Sequence, residues 1–136
     1  MKTQVSDDRI TATECIRAQL GTVIAIYQTG SSVICDPPVR NTDVDYVLLV
    51  PDRDQFWADA LSVGYDQTSK DEYEGLCADF TCYRRGMLNL IVTDDVHFYR
   101  QFCLATAAAK QFKLNDKHDR ITLFQGVIYN NWQVVL

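Results

Sequence analysis

Two aspartates one strand step apart, Asp43 and Asp45, run directly into the apolar segment Tyr46-Val47-Leu48-Leu49-Val50, and this constrains the chain more than any other feature. Side chains alternate faces along a strand, so the two carboxylates point the same way at its mouth. Side by side they repel, and Asp is a poor strand former, so the pair is locally unfavourable. A divalent cation removes that repulsion, and hard oxygen ligands suit Mg²⁺ shared with a nucleotide's phosphates. Upstream, a second apolar run, Thr22 to Tyr27, leads into Gly30-Ser31-Ser32, whose backbone N–H groups and hydroxyls suit the same phosphates. The competing reading is a solvated loop-to-strand junction, with Asn41 and Thr42 finishing a turn.

Thirteen positions separate Gly30 from Asp43, and the stretch reads GSSVICDPPVRNTDVDYVLLV. A glycine-serine turn, a short variable loop and D-x-D opening a strand resemble the signature of the polymerase-β-like nucleotidyltransferase superfamily. The resemblance covers about residues 22–92. It implies an α/β (α+β) palm whose mixed sheet is flanked by helices. It also implies that Asp43 and Asp45 bind Mg²⁺, while Gly30, Ser31 and, less centrally, Ser32 hold the β- and γ-phosphates of a nucleoside triphosphate, ATP foremost. Arg40, between the turn and the aspartates, is placed to reach phosphate or to sit solvated.

Enzymes of this superfamily join an acceptor hydroxyl to the α-phosphorus of a nucleoside triphosphate, with two metals bracketing the charge that builds up. A third carboxylate normally completes the set from a later strand of pattern apolar-Asp-apolar. The matching segment here is Met87-Leu88-Asn89-Leu90-Ile91-Val92, which puts Asn89 where that carboxylate belongs. An amide oxygen can ligate a metal, but it carries no charge and is no general base. Asn89 is therefore either a third member of the site or a buried amide bonding the backbone beside it. Asp79 is an alternative third carboxylate if the strand register brings it round. Lys110, Lys113, Lys117 and Arg120 include candidates for a triphosphate-binding cation, or they form a solvated helix face.

The surrounding pattern fits one domain over residues 1–136, with the palm followed by helices over about 94–130. Thr11-Ala-Thr-Glu14 opens a helix that stops near Gly21; Thr22–Tyr27 and Asp43–Val50 read as strands. Pro37-Pro38 makes Val33–Thr42 a loop, and Asp54–Val63 is a helix closed by Gly64. Asp66–Glu74 reads as an exposed loop. Leu76–Tyr83 and Met87–Val92 form a hairpin about Arg84-Arg85-Gly86, and two helices follow from Asp94 or Asp95 and from about Asp116. The terminal apolar residues from Trp132 suit an edge or a partner. These C-terminal helices resemble those of small stand-alone nucleotidyltransferase-like proteins of bacteriophages.

A net charge of −5 argues against a long nucleic acid as main partner and favours a free nucleotide or another protein, including a second copy of the chain. Neither a membrane-length apolar run nor a secretory leader is seen, so the expected location is cytoplasmic, the host's if the chain is phage-encoded. The cysteines, five in all, contain no C-x-x-C pair, which argues against a disulfide framework and a zinc site. Cys15, Cys77 and Cys103 lie in apolar company and are expected to be buried. Three functions follow: nucleotide transfer to a protein, an RNA end or a small molecule; a degenerate palm that senses nucleotide or binds a protein; and a scaffold without nucleotide.

Overall fold

The computed structural model describes residues 13–39, 43–69 and 80–134. Among the described residues five strands form one mixed sheet: β1 (Ala25–Thr29), β2 (Val44–Leu49), β3 (Asp66–Thr68), β4 (Thr81–Arg85) and β5 (Leu88–Thr93). Their spatial order is β1-β2-β5-β4-β3. β2 and β5 run parallel, and every other neighbouring pair is antiparallel. The helices are α1 (residues 13–19), α2 (Ser31–Ile34), α3 (Arg53–Ser62), α4 (Val96–Gln111) and α5 (Lys117–Tyr129).

Helices cover both faces of the central strands, which explains why β2 and β5 are apolar at almost every position. On one face, Val47 and Ile91 pack with Phe98 and Phe102 of α4 and Phe124 of α5. The rings of Phe102 and Phe124 meet edge to face at 4.8 Å. On the other face, Tyr46, Leu48, Leu90 and Val92 pack with Ile16 beside α1's buried neighbour Leu20, and with Phe56 and Ala60 of α3. Strand parity thus sends odd-numbered β2 residues toward α4 and α5, and even-numbered ones toward α1 and α3.

Aspartates start three helices by accepting from otherwise unpaired backbone N–H groups. Asp52 accepts from Asp54 and Gln55, Asp95 from Phe98, and Asp116 from His118 and Asp119. Gly86, with φ +62°, takes the first position of the two-residue β4–β5 turn, where a left-handed residue matches the strand twist.

Several boundaries differ from the sequence reading. The first strand is Ala25–Thr29, because its register sets Ala25 opposite Leu49 and Thr29 opposite Asp45. Residues expected to begin a loop instead make one helical turn, α2, whose Ile34 is buried in the α4/α5-side core. Asp66–Thr68 is not loop but an edge strand paired with β4; its polar composition hid it. Cys15 is exposed and Cys103 half-buried, whereas Cys35 and Cys82 are buried. On α1 the adjacent Ile16 takes the core-facing position, which turns Cys15 outward. Cys77 and the expected start of α1 at Thr11 lie outside the described residues.

Candidate active site

Four polar side chains form a row across the sheet at the end where β2 and β5 begin. Thr29 of β1 is the cross-strand partner of Asp45, Asp45 of Asn89, and Asn89 of Arg84. All four sit on the face covered by α4 and α5, because that face holds Val47, Ile91 and Cys82, two residues along the same strands. Asp43 lies two positions before Asp45 and so shares its side. Above the row the chain leaves β1 through Gly30 and enters α2.

Gly30 has φ +84° and ψ −177°, a backbone conformation essentially reserved for glycine. A Cβ placed on it would lie 2.0 Å from Asp45 Oδ2. The bend can therefore sit directly on the Asp45 carboxylate only because it carries no side chain. Gly30, Ser31, Asp43, Asp45 and Asn89 all line one cavity of about 250 Å³, together with Lys117 and Arg120 of α5 and an apolar wall that includes Phe102 and Phe124.

The carboxylates are not left to repel each other. Both Asp43 oxygens accept from the Arg84 guanidinium, at 2.9 and 2.7 Å. This bidentate fork holds the Asp43 carboxyl below its ordinary value of 3.8, against a smaller opposing push from burial. Asn89 Nδ2 donates to Asp45 Oδ1 at 2.9 Å. The amide thus bonds the neighbouring carboxylate rather than a backbone group. At the other end of the row, the buried hydroxyls of Thr29 and Thr106 are 2.8 Å apart, and Thr106 donates to the Phe102 carbonyl. That contact ties the end of β1 to α4.

The rim contributed by α5 is built the same way. Arg120 donates to the carbonyls of Leu114 and Asn115, at 3.0 and 2.8 Å. Asn115 in turn pairs with the Asp36 backbone through both amide atoms. These bonds pin the segment after α2 to the α4–α5 loop and fix where Lys117 and Arg120 meet the cavity.

Ser32 is not among the cavity's lining residues; its hydroxyl accepts from Gln28 Nε2 at 3.3 Å. Arg40 and Asp79 lie outside the described residues. Of the four C-terminal cations, Lys117 and Arg120 reach the cavity, Lys113 pairs with Asp36 at 3.2 Å, and Lys110 lines a different depression beside α1. Sequence reasoning missed Arg84, Thr29 and Thr106. Arg84 had a usable signal: a two-residue turn at Gly86-Met87 sets Arg85 opposite Leu88 and hence Arg84 opposite Asn89.

Asp43 and Asp45 bring hard oxygen donors of the kind that suit a divalent cation to this cavity. Among the described residues no three His, Cys, Asp or Glu side chains converge.

No protein-family model and no curated protein sequence matches the chain. Its fold is similar to that of conserved protein GrpB from Enterococcus faecalis, with TM-score 0.52 and 12% identity over 94% of both chains. Looser matches are Cid1 poly(U) polymerase (TM-score 0.47, 12% identity) and a cytoplasmic RNA terminal U-transferase (0.42, 11%). Each covers 89% of this chain but only 39% and 47% of its own. Among the described residues no helix is long and apolar enough to cross a membrane.

Proposed function

We propose that this cavity binds a nucleoside triphosphate with one Mg²⁺ and that the protein transfers its nucleoside monophosphate to an acceptor hydroxyl, breaking the α–β phosphoanhydride bond and releasing pyrophosphate and the hydroxyl's proton. The observation that carries the reading is convergence: the Gly30-Ser31 bend and the Asp43/Asp45 pair line the same small cavity. Its charge balance supports a polyanion as well. Asp43 and Asp45 are set against Arg84, Lys117 and Arg120, a local excess of positive charge in a chain whose net charge is −5.

In this reading the Gly30 backbone and the Ser31 hydroxyl meet the β- and γ-phosphates. Asp43 and Asp45 would hold the Mg²⁺, which supplies charge neutralisation at the phosphoryl oxygens. Asn89 keeps Asp45 oriented through its amide, and Lys117 and Arg120 face the remaining phosphate charge. Phe102 and Phe124 exclude water from one wall. The acceptor is a hydroxyl-bearing protein, RNA end or small molecule.

A second reading, nucleotide binding without transfer, is favoured by one feature: the third carboxylate position is a neutral amide already bonded to Asp45. Both readings require triphosphate binding and share one test. Thermal unfolding of the wild type should rise by several degrees with ATP and Mg²⁺ together. The Asp43→Ala/Asp45→Ala double variant should show no such rise above its own baseline. A wild type whose melting no triphosphate moves would refute both.

A further inference from the structure

We infer that Arg84 is a specificity-determining residue that denies the aspartate pair a bare divalent cation, so that metal enters only as its nucleotide complex. The inference rests on the nucleotide-binding reading above and adds to it the order of preference among ligands.

The Arg84 guanidinium uses two nitrogens on two carboxylate oxygens of Asp43, at 2.9 and 2.7 Å, which is the geometry of a strong charge-assisted pair. A cation placed on that carboxylate meets the guanidinium's charge at close range. Asp45 offers little alternative, since one oxygen accepts from Asn89 and the other lies against Gly30. A bare ion therefore meets an already partnered oxygen on both carboxylates. A metal–triphosphate complex differs, because it brings its own phosphate ligands and a net negative charge that Lys117, Arg120 and Arg84 all favour.

The fork is also free to yield. Arg84 and Asp43 side chains retain 43% and 37% of their exposure, so exchange does not require opening the core. Arg84 reaches Asp43 from β4, across the sheet from β2, and its place in the row follows from the turn at Gly86. The adjacent Arg85 points to the opposite face, where it donates to Gln19 and lies over the Tyr65 ring. It therefore carries the same charge without the contact.

The test uses Mn²⁺ as probe, followed by the free-ion resonance signal, with and without ATP, on wild type, Arg84→Gln, Arg84→Lys and Arg85→Gln. The wild type should bind Mn²⁺ weakly alone and well with ATP. Arg84→Gln should bind Mn²⁺ alone about tenfold more tightly, with Arg84→Lys between, because lysine keeps the charge and loses the fork. Arg85→Gln should match the wild type. Equal gains in Arg84→Gln and Arg85→Gln would reduce the effect to net charge and overturn the inference. An unchanged Mn²⁺ affinity in Arg84→Gln, with Mg-ATP still stabilising the wild type, would overturn the inference and leave nucleotide binding intact. Absence of both metal and nucleotide binding in all four proteins would remove both.

Discussion

Gly30→Ala places a methyl group where the backbone and the Asp45 carboxylate leave no room. The first cost is conformational: φ +84° with ψ −177° is a region that alanine avoids, worth about 1–3 kcal/mol. The second is contact, since the new Cβ would sit 2.0 Å from Asp45 Oδ2 and 2.9 Å from its Cγ. Relief by moving Asp45 breaks the 2.9 Å bond from Asn89, and a hydrogen bond to a charged group contributes about 1.5–3 kcal/mol. The expected loss is about 3–5 kcal/mol, a large part of the roughly 5–15 kcal/mol that holds a domain folded. Urea unfolding followed by circular dichroism reads this as a lower midpoint with an unchanged slope. In an Asp45→Ala background the contact is largely absent, so Gly30→Ala should cost only the conformational part. A double-mutant cycle should therefore show about 1.5–3 kcal/mol of coupling. Equal cost in both backgrounds, or a loss below about 1 kcal/mol, would refute the proposed packing of the bend on the carboxylate.

Asn89→Asp puts a second carboxylate at the 2.9 Å contact with Asp45; the variant should melt below the wild type without metal and regain stability on adding Mg²⁺. Melting like the wild type with no response to Mg²⁺ would count against the donor geometry described here. Burial holds Tyr65, Tyr83 and Tyr99 above their ordinary value of 10.0 and Cys103 above 9.0. The unfolded chain therefore releases these protons first, binds fewer than the folded state, and makes stability fall as pH rises. Urea midpoints should be level up to about pH 9 and decline beyond it; a flat profile through pH 10.5 would contradict the burial of these groups.

Much of the site was legible before any coordinates. Alternation along Asp43–Val50 put both carboxylates on one side, and the Gly86 turn paired β4 with β5. Aspartates at 95 and 116 marked the helices that cover the site. The apolar positions of α4, Phe98, Phe102, Ala105 and Ala109, recur at helical spacing and indeed face the core. β3 was not legible, because Asp66-Gln67-Thr68 shows no apolar alternation and its pairing with β4 alone makes it a strand. Nor was α2, whose four residues have no period to read.

Residue type and local periodicity put forward the carboxylate pair and the glycine bend, while the resemblance to the nucleotidyltransferase signature put forward Asn89 at the third carboxylate position. Tertiary structure decided what these groups touch. Arg84 reaches Asp43 from 41 residues away, and Thr29 meets Thr106 from 77. Such contacts depend on strand order and register, and register is a collective property of the whole sheet packed between its helices. A local pattern can say which face a side chain takes, but only the assembled fold sets which partner waits there.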